Sequence, residues 1–234
     1  GTDCNWAIIY TFSVKDECNN TLSGQQMILS GSDQTPPTFT RPADITIYSN
    51  EACVYNAGVG VTGDVTNESD QCSSGLNATF TDVVVSGSCQ CSYIITRTWH
   101  LVDACGNAAP NQVQTINVYS NIVTNTNDSG AGSLRDIISC APAGSTVTFS
   151  PTLMGQNIVL TSGEIVINKD LTLNGLGIAN SMISGNNASR IFHLMPGKQF
   201  TIKNLALKNA TAVTNGGAIY VEGNLILENI LLQN

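Results

Sequence analysis

Charged side chains are scarce in this chain and make up 11% of its 234 residues, less than half of what soluble domains usually carry. Lysine and glutamate populate the exposed faces of helices, so their scarcity argues against a helical protein. Nine residues are Lys or Arg, and the net charge is −8. Without a basic surface the chain is a poor partner for nucleic acid. No apolar run reaches the length of a membrane-spanning segment.

Histidine is nearly absent, and the cysteines do not follow a metal-binding pattern. The two histidines are His100 and His193, and none of the eight cysteines stands in C-x-x-C spacing, which zinc sites typically use. Cysteines in an acidic, lysine-poor chain favour disulfides, which persist in oxidising compartments. We therefore expect a protein that works in an oxidising compartment.

The residues that are abundant predict an all-β fold. Threonine, valine and isoleucine fit pleated strands, and the many Asn and Gly residues fit the turns between them. The internal repeats described next narrow this fold class to immunoglobulin-like β-sandwich repeats in the first half and a right-handed parallel β-helix in the second.

An internal repeat organises the first half. Residues 4–20 align with residues 91–107 at a constant offset of 87, matching both Cys, an Ile, an aromatic, an Asp and an Asn. Residues 1–34 are predicted to be the C-terminal part of one module and residues 35–120 a complete second copy. Its size is typical of an immunoglobulin-like sandwich. Strands are predicted at 45–48, 53–61, 76–85, 93–102 and 113–118.

A different repeat follows in residues 121–234. Three similar strands alternate apolar and polar residues, with Leu171, Leu205 and Ile230 at equivalent places and spacings of 34 and 25 residues. Similar strands at variable spacing are typical of a solenoid with loop insertions, and asparagines stacked at its turns can form an amide ladder. A helical segment over 132–140 is expected to cover the first rung, with Ser133 and Asp136 as a capping box.

These segments resemble known families. Residues 93–99 and 103–107 resemble the immunoglobulin-like, HYR-related repeats of large secreted surface proteins of Bacteroidota. Residues 123–137 and 215–220 are similar to the parallel β-helix of bacterial adhesins and polymorphic outer-membrane proteins. The resemblance implies export, often by type IX secretion, and a role in adhesion, surface motility or extracellular filaments.

The immunoglobulin-like order bears on disulfide pairing. In that order Cys53 and Cys91 begin strands at one end of the sandwich, while Cys72 and Cys105 lie in loops at the other. It therefore favours Cys53–Cys91 and Cys72–Cys105. Four cysteines allow three connectivities, however, and Cys89 competes with Cys91.

Four cysteines have less definite partners. Cys4 and Cys18 are expected to pair with residues upstream of the chain or with each other. Cys89 and Cys140 are candidates for a bond between module and β-helix or between neighbouring chains. A buried, free Cys140, in a position where the resembling β-helix caps carry a small or aliphatic residue, is the alternative.

Calcium is the one cofactor for which the sequence offers candidates. Asp64, Asp70, Asp103 and Asn107 could supply oxygen ligands, although no EF-hand loop or RTX nonapeptide is present. The competing interpretation is that these short polar side chains cap turns through the backbone.

The acids of the second half do not suggest catalysis. After Asp128 they are Asp136, Glu164, Asp170, Glu222 and Glu228. Hydrolysis of a glycoside requires two facing carboxylates, and these acids are scattered along the sequence. We therefore expect no enzyme activity.

The sequence favours a structural or adhesive segment of a large secreted bacterial surface protein or extracellular filament. Its chain ends are expected to lie inside a longer polypeptide. The expected partners are other copies of the protein, neighbouring surface proteins or surface glycans. Two alternatives remain open: a polysaccharide-active β-helix enzyme whose catalytic rungs lie beyond residue 234, and a carbohydrate-binding module.

Overall fold

Short strands dominate the computed structural model, which describes residues 4–213 and 215–233. Strands account for 48% and helices for 6% of the structure, so the all-β prediction is confirmed. Residues 1–3 of the first predicted module and Asn234 at the end of the last predicted strand lie outside the described residues. No helix in the described part combines the length and apolar character needed to cross a membrane.

Over the described residues, the secondary structure comprises eighteen strands, two α-helices and a 3-10 turn over Pro151–Leu153. The helices are α1 Val59–Thr62 and α2 Leu134–Cys140. The strands are β1 Asn5–Lys15, β2 Thr21–Ser32, β3 Thr38–Thr40, β4 Ile45–Ser49, β5 Thr66–Ser69, β6 Thr79–Ser86, β7 Tyr93–His100, β8 Gln112–Ser120, β9 Ile122–Val123, β10 Thr146–Phe149, β11 Gln156–Val159, β12 Ile165–Ile167, β13 Leu171–Asn174, β14 Ser181–Ser184, β15 Phe192–Leu194, β16 Gln199–Lys208, β17 Ile219–Val221 and β18 Asn224–Gln233.

Four of the five strands predicted between residues 45 and 118 correspond to β4, β6, β7 and β8. The strand predicted over 53–61 is wrong. Cys53 has a left-handed backbone with φ of 60°, and α1 begins at Val59. Gly58 and Gly60 lie inside this run, and glycine weakens a strand because it has no side chain to pack.

Two compact units divide the chain. The first contains the residues up to Asp44, Gly58–Val83 and Thr96–Thr115. The second contains Ile45–Ala57, Val84–Ile95 and the residues from Ile116 onward. The module boundaries predicted at residues 34 and 120 stay predictions.

From residue 4 to residue 120 the chain forms three small sheets. β1 and β2 pair as an antiparallel hairpin, and β3 pairs antiparallel with β5. A four-stranded sheet has the order β4-β8-β7-β6, with β4 parallel to β8. One hydrophobic core surrounds Trp99 in the first unit, and another surrounds Ile95, Ile116 and Val118 in the second.

The second half is a parallel β-solenoid of about four turns, as the sequence predicts. One sheet runs β11-β14-β16-β13-β10-β9 with β18 added beside β16, and a second runs β12-β15-β17. Apolar side chains fill the interior, and Phe192 and Phe200 meet edge to face with ring centroids 5.2 Å apart. Burying each such side chain stabilises the fold by about 1.5–3 kcal/mol.

The register of the solenoid differs in part from the prediction. Leu205 pairs with Ile230, as predicted, but Leu171 pairs with Phe200 instead of Leu205. The reason is that β16 is long enough to carry two strands: β13 lies along its first half, and β14 along its second half from Ala206.

An asparagine ladder marks the corner between these two halves. Asn204 and Asn229 have left-handed backbones, with φ of 56° and 53°. Asn229 Nδ2 donates to Asn204 Oδ1 at 2.8 Å, and Asn204 Nδ2 donates to Asn174 Oδ1 at 2.9 Å. The predicted amide ladder is therefore confirmed.

Helix α2 covers the start of the solenoid as predicted. Ser133 is the N-cap and its Oγ accepts from Asp136 N at 3.2 Å. Asp136 Oδ2 accepts from Gly132 N instead of closing the box on Ser133. Leu134 and Ile137 on the inner face are at most 2% exposed and join the solenoid core.

The other end of α2 is held by a lysine. Lys169 Nζ donates to the carbonyls of Ser139 and Ala141 at 2.7 and 2.8 Å. A cation at this end satisfies the last carbonyls and complements the helix dipole. Burial lowers the pKa of Lys169 from its ordinary value.

Candidate functional site

The outer face of the β12-β15-β17 sheet carries a row of aligned side chains. In β15 the flanking Phe192 and Leu194 are fully buried, so strand alternation turns the middle residue, His193, outward. Val166, His193 and Tyr220 pair in register across the three strands. The row therefore presents an imidazole and a phenol ring to solvent on neighbouring rungs.

Charged residues at the ends of these strands surround the imidazole. His193 Nε2 lies 2.7 Å from Glu222 Oε2, and Nδ1 lies 3.4 Å from Glu164 Oε1. Arg190 Nε donates to Glu164 Oε2 at 2.6 Å. The Tyr220 ring lies 4.8 Å from the His193 ring, and the Arg190 guanidinium lies 5.2 Å from the Tyr220 ring.

This cluster corrects the expectation that the acids of the second half are scattered. Folding brings Glu164 and Glu222 to opposite nitrogens of one imidazole. The sequence signal for this cluster is the shared 27-residue spacing of Val166, His193 and Tyr220. That spacing can be recognised as a row only when the register of the rungs is known. The His193 ring lies between the two carboxylates, where a glycosidase would hold the sugar.

An open cleft of about 340 Å³ lies beside this cluster. Glu164 and Arg190 provide its charged groups, already paired with each other. Its other lining residues are small or apolar: Gly163, Ala188, Ser189, Thr211, Ala212 and Val213. The volume falls in the range of small-molecule sites, and a guanidinium beside a carboxylate offers donors and acceptors to hydroxyl groups.

The structure contains three disulfides. Cys53 pairs with Cys91, as the immunoglobulin-like order favours. Cys89 pairs with Cys140, so the loop before β7 is bonded to the helix that caps the solenoid. Of the alternatives considered for Cys140, the bond between module and β-helix is the one the structure forms.

The third disulfide overturns two predictions. Cys105 bonds to Cys4, with Cα atoms 5.0 Å apart, so the predicted Cys72–Cys105 pair is wrong. The alternatives for Cys4, a partner upstream or Cys18, are wrong as well, and Cys18 keeps an exposed free thiol. Sequence reasoning matched Cys4 to its repeat equivalent Cys91 and did not consider a bond between two copies.

The calcium candidates act mainly as turn caps. Asp103 Oδ1 accepts from Cys105 N and Asn107 N, each at 2.8 Å. Burial raises the pKa of Asp103, but the hydrogen bonds from Asn107, Cys105 and Gly106 outweigh it and lower the pKa from its ordinary value. Asp70 similarly accepts from two backbone amides. These contacts are the ones the capping interpretation requires.

The predicted calcium ligands do not converge. Among the described residues, the one group of three potential metal-binding side chains joins Asp103 to Asp33 and Cys105, not to Asp64 or Asp70. Cys105 is in a disulfide and offers no thiolate to a metal. Asp64 accepts from the neighbouring Val65 N.

In comparisons with known proteins, no family model, curated protein or solved structure matches the chain.

Proposed function

We propose that this chain is a structural and adhesive segment of a secreted bacterial surface protein or extracellular filament, of the kind its repeats resemble. The observation that carries the proposal is the overlap of two disulfide loops. Cys4–Cys105 and Cys89–Cys140 have sequence separations of 101 and 51 residues. The two loops share residues 89–105, so together they cover the chain from residue 4 to residue 140 without a gap. Between residues 4 and 140, tension along the chain is then carried by the disulfides and the short stretch that joins them.

The disulfides also support the proposed location outside the cell, since such bonds persist in oxidising compartments. The net charge of −8 helps to keep an exposed protein from associating non-specifically. Type IX export in a member of the Bacteroidota is part of the same proposal and rests on the sequence resemblance.

The proposal includes the finer architecture. Residues 35–120 form an immunoglobulin-like sandwich built from the strands β3 to β8. The solenoid is right-handed, the usual hand of connections between parallel strands. In this arrangement the sandwich is a spacer and the solenoid is a rod that exposes the His193 row and its cleft.

The proposal can be tested on intact cells of the source organism. A membrane-impermeant biotin reagent should label the protein while a cytoplasmic control protein stays unlabelled, and electron microscopy of the released material should show fibres or arrays. A soluble monomer that releases oligosaccharides from a polysaccharide would reject the proposal and favour the enzyme alternative.

Carbohydrate binding is a second candidate function, and the cleft beside Arg190 is the observation that favours it. The guanidinium and the carboxylate of Glu164 lie in the cleft, and the half-buried ring of Tyr220 packs against Arg190 beside it, so polar groups are combined with a flat apolar surface. Sugars present hydroxyl groups on an apolar ring, so such a surface matches their chemistry.

A glycan array tests this second candidate. Ala212→Trp should fill the cleft without breaking the ion pairs and should abolish glycan retention. Ala179→Trp, at an exposed turn of the same unit, should leave retention unchanged. Equal retention by both variants would exclude the cleft as the binding site.

A further inference from the structure

The β1–β2 hairpin has one strongly apolar face. Its cross-strand pairs include Ile8 opposite Leu29 and Tyr10 opposite Met27. Trp6 lies over Gly31, where an added Cβ would come within 2.5 Å of the indole. The opposite face pairs Ala7 with Ser30 and Thr11 with Gln26, with Ile9 and Ile28 as its large apolar residues.

This apolar face is exposed. Ile8 is 46% and Leu29 45% exposed, and Trp6, Tyr10 and Met27 are exposed to a similar degree. A two-stranded hairpin is at best marginally stable in water by itself. Contiguous exposed apolar surface on a sheet usually marks an interaction site.

The second copy of the repeat shows how the same face is covered. At the 87-residue offset, Ile8, Phe12 and Leu29 correspond to Ile95, Trp99 and Ile116, which are 1%, 1% and 0% exposed. Most of the apolar side chains that surround these three buried residues come from residues 39–78. The others lie in β7, in β8 or in the loop between them. Those from residues 39–78 are Phe39, Val59, Val65, Leu76 and Ala78 around Trp99, and Ile45, Ile47, Tyr55 and Ala57 around Ile95 and Ile116.

We infer that the apolar face of β1–β2 is the docking surface for a segment with the strand pattern of residues 35–90, joined to the chain directly before Cys4. The junction follows from the repeat, in which Cys91 corresponds to Cys4. In the second copy β4 lies parallel to β8, with Ile45 opposite Ile116. The corresponding strand therefore lies parallel to β2 and begins opposite Leu29.

The inference can be tested with a chimera of the full chain. A copy of residues 35–90 replaces the three residues before Cys4, with Cys53→Ser, Cys72→Ser and Cys89→Ser in the added copy only. That copy contains no tryptophan, so the chimera keeps Trp6 and the buried Trp99. In the parent chain acrylamide should quench Trp6. In the chimera the quenched component should be lost.

Two adjacent isoleucines provide a matched control. Ile8 and Ile9 are 46% and 56% exposed but lie on opposite faces of β1. In the chimera, Ile8→Asp should restore quenching of Trp6, whereas Ile9→Asp should not. Sedimentation measurements at the same concentration should show the chimera as a monomer.

Two results would overturn the inference. One is a chimera in which Trp6 is quenched as strongly as in the parent, or in which both aspartate variants behave alike. The other is a dimeric parent chain in which Trp6 is already protected, because a second copy would then be the occupant. Neither result depends on whether the protein is adhesive.

Discussion

Arg97 is a buried cation, with only 1% of the residue exposed. Its Nε and Nη2 donate to the two carboxylate oxygens of Asp82, each at 2.8 Å, and Nη1 donates to Thr62 Oγ1. The Phe80 ring lies 3.9 Å from the guanidinium carbon. A bidentate partner is needed here because an uncompensated buried charge is strongly destabilising.

Asp82→Asn should therefore destabilise the first unit by about 3 kcal/mol. The amide keeps one acceptor but removes the charge that faces Arg97. Urea unfolding followed by the fluorescence of buried Trp99 measures the loss. Asp44→Asn is the control, because its pair with Arg41 is exposed and should be worth less than about 1 kcal/mol. Equal losses would contradict the assignment.

Asp128 gives the solenoid cap a dependence on pH. Its carboxylate accepts from Ser162, Arg135 and Thr161. Burial raises the pKa of Asp128, but these hydrogen bonds outweigh it and hold the pKa below the ordinary value of 3.8. The folded state therefore binds this proton less readily than the unfolded state. The resulting stabilisation is complete above the unfolded pKa and is lost as pH falls toward the folded one.

We expect Asp128→Asn to remove this part of the acid sensitivity. Melting temperatures between about pH 6 and pH 3 should fall more steeply for the parent than for the variant, and the difference between them should shrink below pH 4. Glu228→Gln, which removes an exposed carboxylate, should keep the parental slope. Parallel curves for the parent and Asp128→Asn would contradict the role of Asp128.

At the scale of elements, the solenoid depends on β16 turning its corner at Asn204. The side chain continues the amide ladder, and the backbone lies in the left-handed region. Asparagine tolerates that region better than most residues because its short side chain can bond locally. One residue thus satisfies a conformational and a hydrogen-bonding requirement.

Two substitutions separate these requirements. Asn204→Gly should keep the backbone conformation and lose the ladder, whereas Asn204→Ala should lose both. The Asn204→Ala variant should therefore be less stable than the Asn204→Gly variant by about 1 kcal/mol. Thermal unfolding and amide hydrogen exchange of β16 measure the difference. If glycine were the more destabilising change, the left-handed corner would not be the controlling feature.

At the scale of the whole molecule, covalent links control how the chain responds to unfolding. The bond between Cys89 and Cys140 closes a loop of 51 residues. By the chain-entropy relation, a loop of this length stabilises the fold by about 4 kcal/mol. Cys89→Ser with Cys140→Ser should cost that amount in the second unit. Cys18→Ser, which removes an exposed free thiol, should cost nothing measurable.

Single-molecule pulling tests the overlap of the loops directly. With the disulfides intact, the shortest covalent path between residues 4 and 140 runs through the stretch from 89 to 105. Reduction should add roughly 400 Å of contour length, at about 3.4 Å for each residue released. Cys18→Ser should give the parental extension. A much smaller gain on reduction would show that one of the two bonds is absent from the native protein.

Local patterns accounted for much of the fold. Alternating apolar residues predicted β7 and β8, the Ser133 cap predicted α2, and recurring Asn residues predicted the ladder through Asn204. Each of these depends on residues close in sequence or on a periodicity of two. The strand predicted from Cys53 to Val61 is wrong because Gly58 and Gly60 interrupt its apolar residues, and glycine weakens a strand.

The sequence by itself determined that the protein is all-β, built of repeats, and divided into a cysteine-rich half and a solenoid. Only the tertiary structure decided that Cys105 bonds to Cys4 and that Glu164, His193 and Glu222 meet on one face. The reason is physical: strand type follows from local alternation of side chains. Contacts between distant residues depend on strand register and loop length, and the local alternation of side chains does not specify either of these.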